Sequence, residues 1–251
     1  MTPWEAVAIF VAGVGAGGVN VVVGSGSLIT FPTMVAAGMP PIIANVSNNI
    51  GLVPGSLTGA LGYRAELTGQ RERLIRLGAG SVAGSLIGAV LLLVLPPGTF
   101  TVVVPVLIGL ACVLVVVQPR LNRWLSARGE ERRPHGGPWL WIGVFAAGIY
   151  GGYFGAAQGV LLIGLLGSFL DDDLQRVNAA KNVLSLLVNA TAAVLFVLVA
   201  QVDWRAVALV AVGASIGGFL GARVGRRLPA PVLRGVVVCI GVVAMVKLLY
   251  G

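Results

Sequence analysis

LGAGSVAGSLIGAVLLLVLPPGTFTVVVPVLIGLACVLVVVQP, from Leu77 to Pro119, contains no charged side chain and is broken near Pro96, Pro97 and Gly98. Each part approaches the ~20 residues that a membrane-spanning helix needs. The stretch therefore reads as two spans joined by a short turn. Composition extends this reading to the whole chain: 57% of the residues are hydrophobic and 10% charged, and the mean hydropathy is +0.96, outside the range of soluble domains. The first apolar segment, Trp4 to Val23, lacks a basic leader region and a small-residue cleavage site, so it is expected to remain in the mature protein. Cys112 and Cys239 each sit alone in an apolar run and read as small hydrophobes, with no disulfide and no redox motif.

Aligning the sequence with itself at an offset of 133 residues matches the two halves without a gap. Gly18 falls on Gly151, Gly26 on Gly159, Asn45 on Asn178, Asn49 on Asn182 and Tyr63 on Phe196. Gly80, Gly84 and Gly88 fall on Gly213, Gly217 and Gly221, and Pro96 on Pro229. The chain divides into a first transmembrane repeat (1–117), a basic linker (118–137) and a second transmembrane repeat (138–251). Each repeat has five apolar segments: 4–23, 27–38, 42–63, 77–95 and 99–117, then 138–154, 159–170, 175–199, 206–222 and 231–250. The second segment of each repeat is short, since about 11 helical residues rise only about 16 Å against a hydrocarbon core of about 30 Å. It either ends partway across or pairs with its predecessor as a re-entrant hairpin. Both choices give an odd number of net crossings per repeat, so the expected fold is an all-α polytopic membrane protein of two inverted-topology repeats.

Charge supports the inversion. It places the loops at 64–76, 118–137, 171–181 and 223–234 on one side, and of the 17 Lys and Arg residues only Arg205 and Lys247 lie elsewhere. The positive-inside rule makes that side cytoplasmic and both termini extracytoplasmic. A same-way-up repeat would put Arg223, Arg226, Arg227 and Arg234 opposite the basic linker, and is rejected. Trp4, Trp124, Trp139, Trp141 and Trp204 fall near segment ends, as interfacial anchors do. The net charge of +8 is thus a topology signal and not a nucleic-acid footprint.

Inverted repeats with short, glycine-broken segments in matching places point to a transporter whose site lies between the halves near the midplane. The breaks here are GSGS (Gly24, Ser25, Gly26, Ser27) and GAAQG (Gly155 to Gly159, including Gln158). Each precedes a short helix, whose N-terminus offers backbone N–H groups and positive partial charge to an anion. Ser25, Ser27, Thr30 and Gln158 could add donors. Non-helical backbone at membrane depth is tolerated only inside protein or beside a water-filled cavity. The glycine rows at Gly80, Gly84 and Gly88 and at Gly213, Gly217, Gly221 and Gly225 read instead as close helix packing. The GVGAGG stretch lacks the βαβ setting of a dinucleotide site.

A second constellation is ANVSNN (Ala44 to Asn49) with its repeat partner VNAAKN (Val177 to Asn182). It sets Asn45, Asn48 and Asn49 against Asn178, Lys181 and Asn182, and such residues are costly in an apolar helix unless they line a cavity or find partners. Lys181 reads as the charge partner of an anion, with snorkelling to the cytoplasmic surface as the alternative. Asn20 and Asn189 are lone polar residues, open to interhelical hydrogen bonding as well. His135, in the basic loop, is assigned no role. No carboxylate lies deep in a segment, so a proton relay through a buried acid has no candidate, and no cofactor or metal site is expected. A membrane-embedded enzyme would need a nucleophile and base, or a metal cluster, and none is seen. An assembly or partner-binding subunit without transport of its own is the alternative to a permease. The oligomeric state stays open, a homo-oligomer included.

NVVVGSGSLITFP (Asn20 to Pro32), GMPPIIANVSNNIGLVPGSLTGALGYRAEL (Gly38 to Leu67), GIYGGYFGAAQGVLL (Gly148 to Leu162) and NAAKN (Asn178 to Asn182) resemble the sulfite exporter TauE/SafE family of bacterial membrane permeases. The resemblance covers essentially the whole chain. It implies a plasma-membrane permease that moves sulfite, sulfonates or related small organosulfur anions, usually outward. The family's breaks are often GGG-like, whereas this chain has Ser25 and Ser27 in one and Ala156, Ala157 and Gln158 in the other.

Overall fold

In a computed structural model the chain is described over residues 1–127 and 136–224, with isolated positions at 235, 238, 239 and 242. The segment expected at 231–250, residues 128–135 of the linker (His135 among them) and Gly225 fall largely or wholly outside these residues. All regular structure among the described residues is helical, in the order α1 (Pro3–Val22), α2 (Ser27–Ala36), α3 (Pro41–Gly62), α4 (Arg71–Val94), α5 (Pro97–Ala127), α6 (Gly137–Tyr153), α7 (Gln158–Phe169), α8 (Leu174–Val199) and α9 (Trp204–Val224). Among the described residues the first nine predicted segments appear with their predicted breaks. Two boundaries differ: α4 starts in the charged turn RERLIR, and α5 continues into the linker, because charged and polar residues end an apolar run without ending a helix.

Local chemistry sets the starts. Thr2 and Glu5 form a reciprocal capping box with Pro3 in the first turn of α1, at 3.3 Å (Glu5 N to Thr2 Oγ1) and 2.7 Å (Thr2 N to Glu5 Oε2). Asp173 caps α8 by accepting from Gln175 N at 2.7 Å, and Asp203 caps α9 by accepting from Arg205 N and Ala206 N at 3.0 Å. Five helices, α1, α4, α5, α8 and α9, are long and apolar enough to cross a membrane. The helix α3 has 22 residues, also enough to cross, but carries Asn45, Ser47, Asn48 and Asn49 in its first half.

The exterior is apolar and the interior polar at selected points. Leu198 is 74% exposed and Val102 73%, whereas Lys181 is 0% exposed. In water that arrangement would be costly twice over, and in a bilayer the exposed side chains face hydrocarbon. Trp4, Trp139, Trp141 and Trp204 are exposed near helix starts, in the manner of interfacial anchors.

The helix α1 packs along α9, and α4 along α6. Glycines let these backbones touch: a Cβ on Gly84 would collide with Phe145 O, and one on Gly217 with Val14 O. Gly88, Gly213 and Gly221 make similar close approaches and Gly80 lies against the Trp141 ring, so these rows serve packing.

Two hairpins follow. Arg205 lines one groove with Met1, Thr2 and Pro3, and another with Met39, Pro40 and Ile43, so the start of α1 and the turn after α2 share one end of the molecule. At the other end, Trp141 Nε1 near the start of α6 donates to Arg76 O at 3.1 Å, and Asp172 after α7 pairs with Arg73. The short helices α2 and α7 therefore fold back on their predecessors α1 and α6. The end holding Arg64, Arg71, Arg73, Arg76, Arg176 and Arg223 is called the basic end below.

Candidate functional site

The two hairpin turns meet inside the bundle. Gly24 has φ +85°, and Ala157, its partner at the 133-residue offset, has φ +57°, the one left-handed non-glycine among the described residues. Gly159 N donates to Gly24 O at 3.0 Å, and the Cα atoms are in such close approach that neither residue has room for a Cβ. Phe154, at the end of α6, packs edge-on to Phe31 of α2 at 5.2 Å and to Phe100 of α5 at 6.2 Å, which fixes the turn from the side.

Ending α1 inside the bundle leaves its last carbonyls without helical partners. Lys181 meets that need: its Nζ donates to Asn20 O at 2.9 Å and to Val21 O at 2.8 Å, and Asn182 Nδ2 donates to Val21 O at 3.4 Å. A cation at a helix C-terminus is also favoured by the helix dipole. The side chain of Lys181 is fully buried, so it does not snorkel to the surface. Its stem lies over Gly159, where an added Cβ would stand 3.0 Å from Lys181 Cδ. The last carbonyl of α6 is met differently, by Asn45 Nδ2 donating to Tyr153 O at 3.0 Å. The third helix of each repeat thus caps the broken first helix of the other, with a cationic side chain in one case and a neutral amide in the other.

A polar chain runs through the centre. Asn49 Nδ2 donates to Asn189 Oδ1 at 3.5 Å, Asn189 Nδ2 to Ser56 Oγ at 3.3 Å, and Asn20 Nδ2 to the same oxygen at 3.4 Å. Asn20 Oδ1 in turn accepts from Gly26 N at 3.4 Å, tying the chain to the first hairpin turn. Asn48 accepts from Thr30 Oγ1, joining α3 to α2. Four buried polar atoms of expected site residues have no partner: Ser25 Oγ, Gln158 Nε2, Asn49 Oδ1 and Asn178 Oδ1.

Of the residues singled out in the sequence, Gly24, Gly26, Gly159, Lys181 and Asn182 are brought together with Asn20 at the junction. Asn49 joins through the central chain. Asn45 is committed to α6 and Asn48 to α2, while Gln158 lies against Gly151. Ser25 and Asn178 are buried, and Ser27 is half-buried at the start of α2. Ser56 escaped the sequence reading because a serine in an apolar helix is unremarkable. Its signal was present, since the 133-residue offset sets it on Asn189.

At the basic end a second polar group links the repeats. Asp172 accepts from Arg73 of α4 and from Arg176 Nε at 2.7 Å. Arg176 Nη1 donates to Thr68 O, and Gln70 Nε2 to Arg176 O, both at 3.1 Å. Burial pushes the Asp172 carboxyl up, but the hydrogen bonds and charges of the two arginines outweigh it and hold it below the usual carboxylate value.

Broken-helix hairpins with a buried polar junction, wrapped in apolar helices, define a polytopic membrane protein of the transporter class. The chain belongs to the sulfite exporter TauE/SafE family, which matches residues 9–248. It is 27% identical over 240 residues to the probable membrane transporter protein YfcA of Escherichia coli (strain K12), spanning 94% of this chain and 86% of that one. A probable membrane transporter protein of Haemophilus influenzae is 24% identical over 245 residues (96% and 93%), and the probable membrane transporter protein ORF9 of Sinorhizobium sp is 22% identical over 243 (96% and 91%). No solved structure matches the chain. The family and these relatives are named as membrane transporters and not as enzymes.

Proposed function

We propose that this protein is a permease that exports a small anion, such as sulfite or a sulfonate, across the bacterial plasma membrane by alternating access between two inverted repeats. The observation that carries the reading is the junction of the two hairpin turns, where a fully buried Lys181 directs two of its N–H groups to Asn20 O and Val21 O. An ammonium has three donors, so one remains for an anion. The unpartnered Ser25 Oγ and Gln158 Nε2 supply further donors. Inversion is supported by the ends from which the helices start: α1 begins beside Arg205, and its repeat partner α6 begins beside Arg76. With the basic end cytoplasmic, the N-terminus lies outside. An anion leaving an inside-negative cell gains about 2.3 kcal/mol per charge per 100 mV, so export needs no coupled ion.

Proteoliposomes loaded in turn with sulfite, sulfate, thiosulfate and a small organosulfonate test this. The expected result is protein-dependent, voltage-sensitive efflux of at least one anion that Lys181→Ala abolishes. Efflux from Lys181→Ala equal to that of the unaltered protein would remove Lys181 as charge partner, and a rate indifferent to voltage would remove uncoupled export.

A further inference from the structure

Ser56 and Asn189 occupy the same position in the two repeats, each 15 residues after the first residue of its helix, and they hydrogen-bond to each other at 3.3 Å across 133 residues of chain. A contact between a position and its own repeat partner lies on the axis that relates the repeats. If one repeat adopts the conformation of the other, every off-axis contact is exchanged for its counterpart, whereas an axial contact maps onto itself. The Lys181 bond to Asn20 O is off-axis, and so is the Asp172 bond to Arg73, whose repeat positions carry no such pair: Asp172 corresponds to Met39 and Arg73 to Ala206.

Resting on the inverted-repeat reading above, we infer that Ser56 and Asn189 are positioning residues that act as the fixed pivot of the transport cycle, while Asp172 with Arg73 and Arg176 is the latch that must open at the basic end. The pivot joins α3 to α8, the helices that carry Asn45 and Asn49 and Asn178, Lys181 and Asn182. It keeps the site's side chains in register as the ends move. Its surroundings suit a fixed point, since Asn189 is 8% and Ser56 4% exposed, and Asn20 and Asn49 bond to the same pair. The latch is suited to release, because its members are only partly buried, at an end of the bundle where water can replace each bond.

The experiment needs no anion, so its failure is separate from any failure of the transport reading. In lipid nanodiscs, with Cys112→Ser and Cys239→Ser as background, one spin-label pair is placed at Leu57 and Val194 beside the axis and another at Glu72 and Leu174 beside the latch. All four positions are exposed. Distances are measured by pulsed electron paramagnetic resonance with and without Asp172→Asn, and with Arg73→Gln should the first variant fail to assemble. The expected result is a longer 72–174 distance with an unmoved 57–194 distance. Adding Asn189→Leu should broaden the 57–194 distribution, and exchanging the pair (Ser56→Asn with Asn189→Ser) should narrow it again. A 57–194 distance that shifts with the latch overturns the pivot, and a 72–174 distance that stays put overturns the latch.

Discussion

Two glycines with nearly the same backbone conformation separate strain from contact. Gly24 has φ +85° and Gly38 φ +83°. An added Cβ at Gly38 meets nothing within 4 Å, whereas one at Gly24 would stand 2.6 Å from Gly159 C and 3.0 Å from Val160 N. Gly38→Ala should therefore cost only the left-handed strain, about 1–2 kcal/mol. Gly24→Ala carries the same strain plus the overlap with a second hairpin turn, about 1–3 kcal/mol more. Because the atoms in the way are backbone, the overlap is relieved only by parting the turns, which breaks the 3.0 Å bond from Gly159 N to Gly24 O. Thermal unfolding of both purified variants in one detergent reads the difference directly. Gly24→Ala should melt well below Gly38→Ala and lose anion flux, while Gly38→Ala keeps it. Equal melting temperatures would refute the tight junction on which the site rests.

Ala157, at φ +57°, carries the same kind of strain, but its methyl is fully buried. Ala157→Gly relieves about 1–2 kcal/mol of strain and loses about 1 kcal/mol of burial, so the variant should melt close to the unaltered protein in a thermal-unfolding comparison. Lys181→Met keeps the apolar stem but strands Asn20 O, so it should lose about 1–3 kcal/mol as well as transport; Asn182 still serves Val21 O. The Asp172 carboxyl is held below its ordinary value, so its stabilisation is present above the unfolded carboxylate value and lost as pH falls through the lower folded one. The gap in melting temperature between the unaltered protein and Asp172→Asn should accordingly be full near neutral pH and close in acid.

Much of the architecture was legible because the bilayer constrains the chain so strongly. A helix must be long and apolar enough to cross, so the runs from Leu77 to Val94 and from Gly98 to Val117 announced themselves. The glycine breaks at Gly24 and Gly155 marked the hairpin turns, since those positions need positive φ or close approach. The partners of the polar residues were not legible. Nothing in NAAKN reveals that Lys181 reaches back 161 positions to Asn20, or that Asn45 serves Tyr153 in the opposite half. Ser56 carried a signal in its offset onto Asn189, but its hydrogen bond to that partner is again a matter of tertiary contact.

The sequence by itself determined that the chain is a helical membrane protein, where the short segments fall, and which few polar residues enter the apolar interior. Hydropathy, breaks and charge are local properties, and each can be read along the chain one segment at a time. Tertiary structure alone decided that each short helix turns back rather than crosses, and that Gly24 touches Gly159. It also decided that Lys181 caps a helix it is far from in sequence. Hydrogen bonds and backbone contacts between distant segments depend on depth and rotation within the bundle, quantities that packing sets only once all the helices are in place.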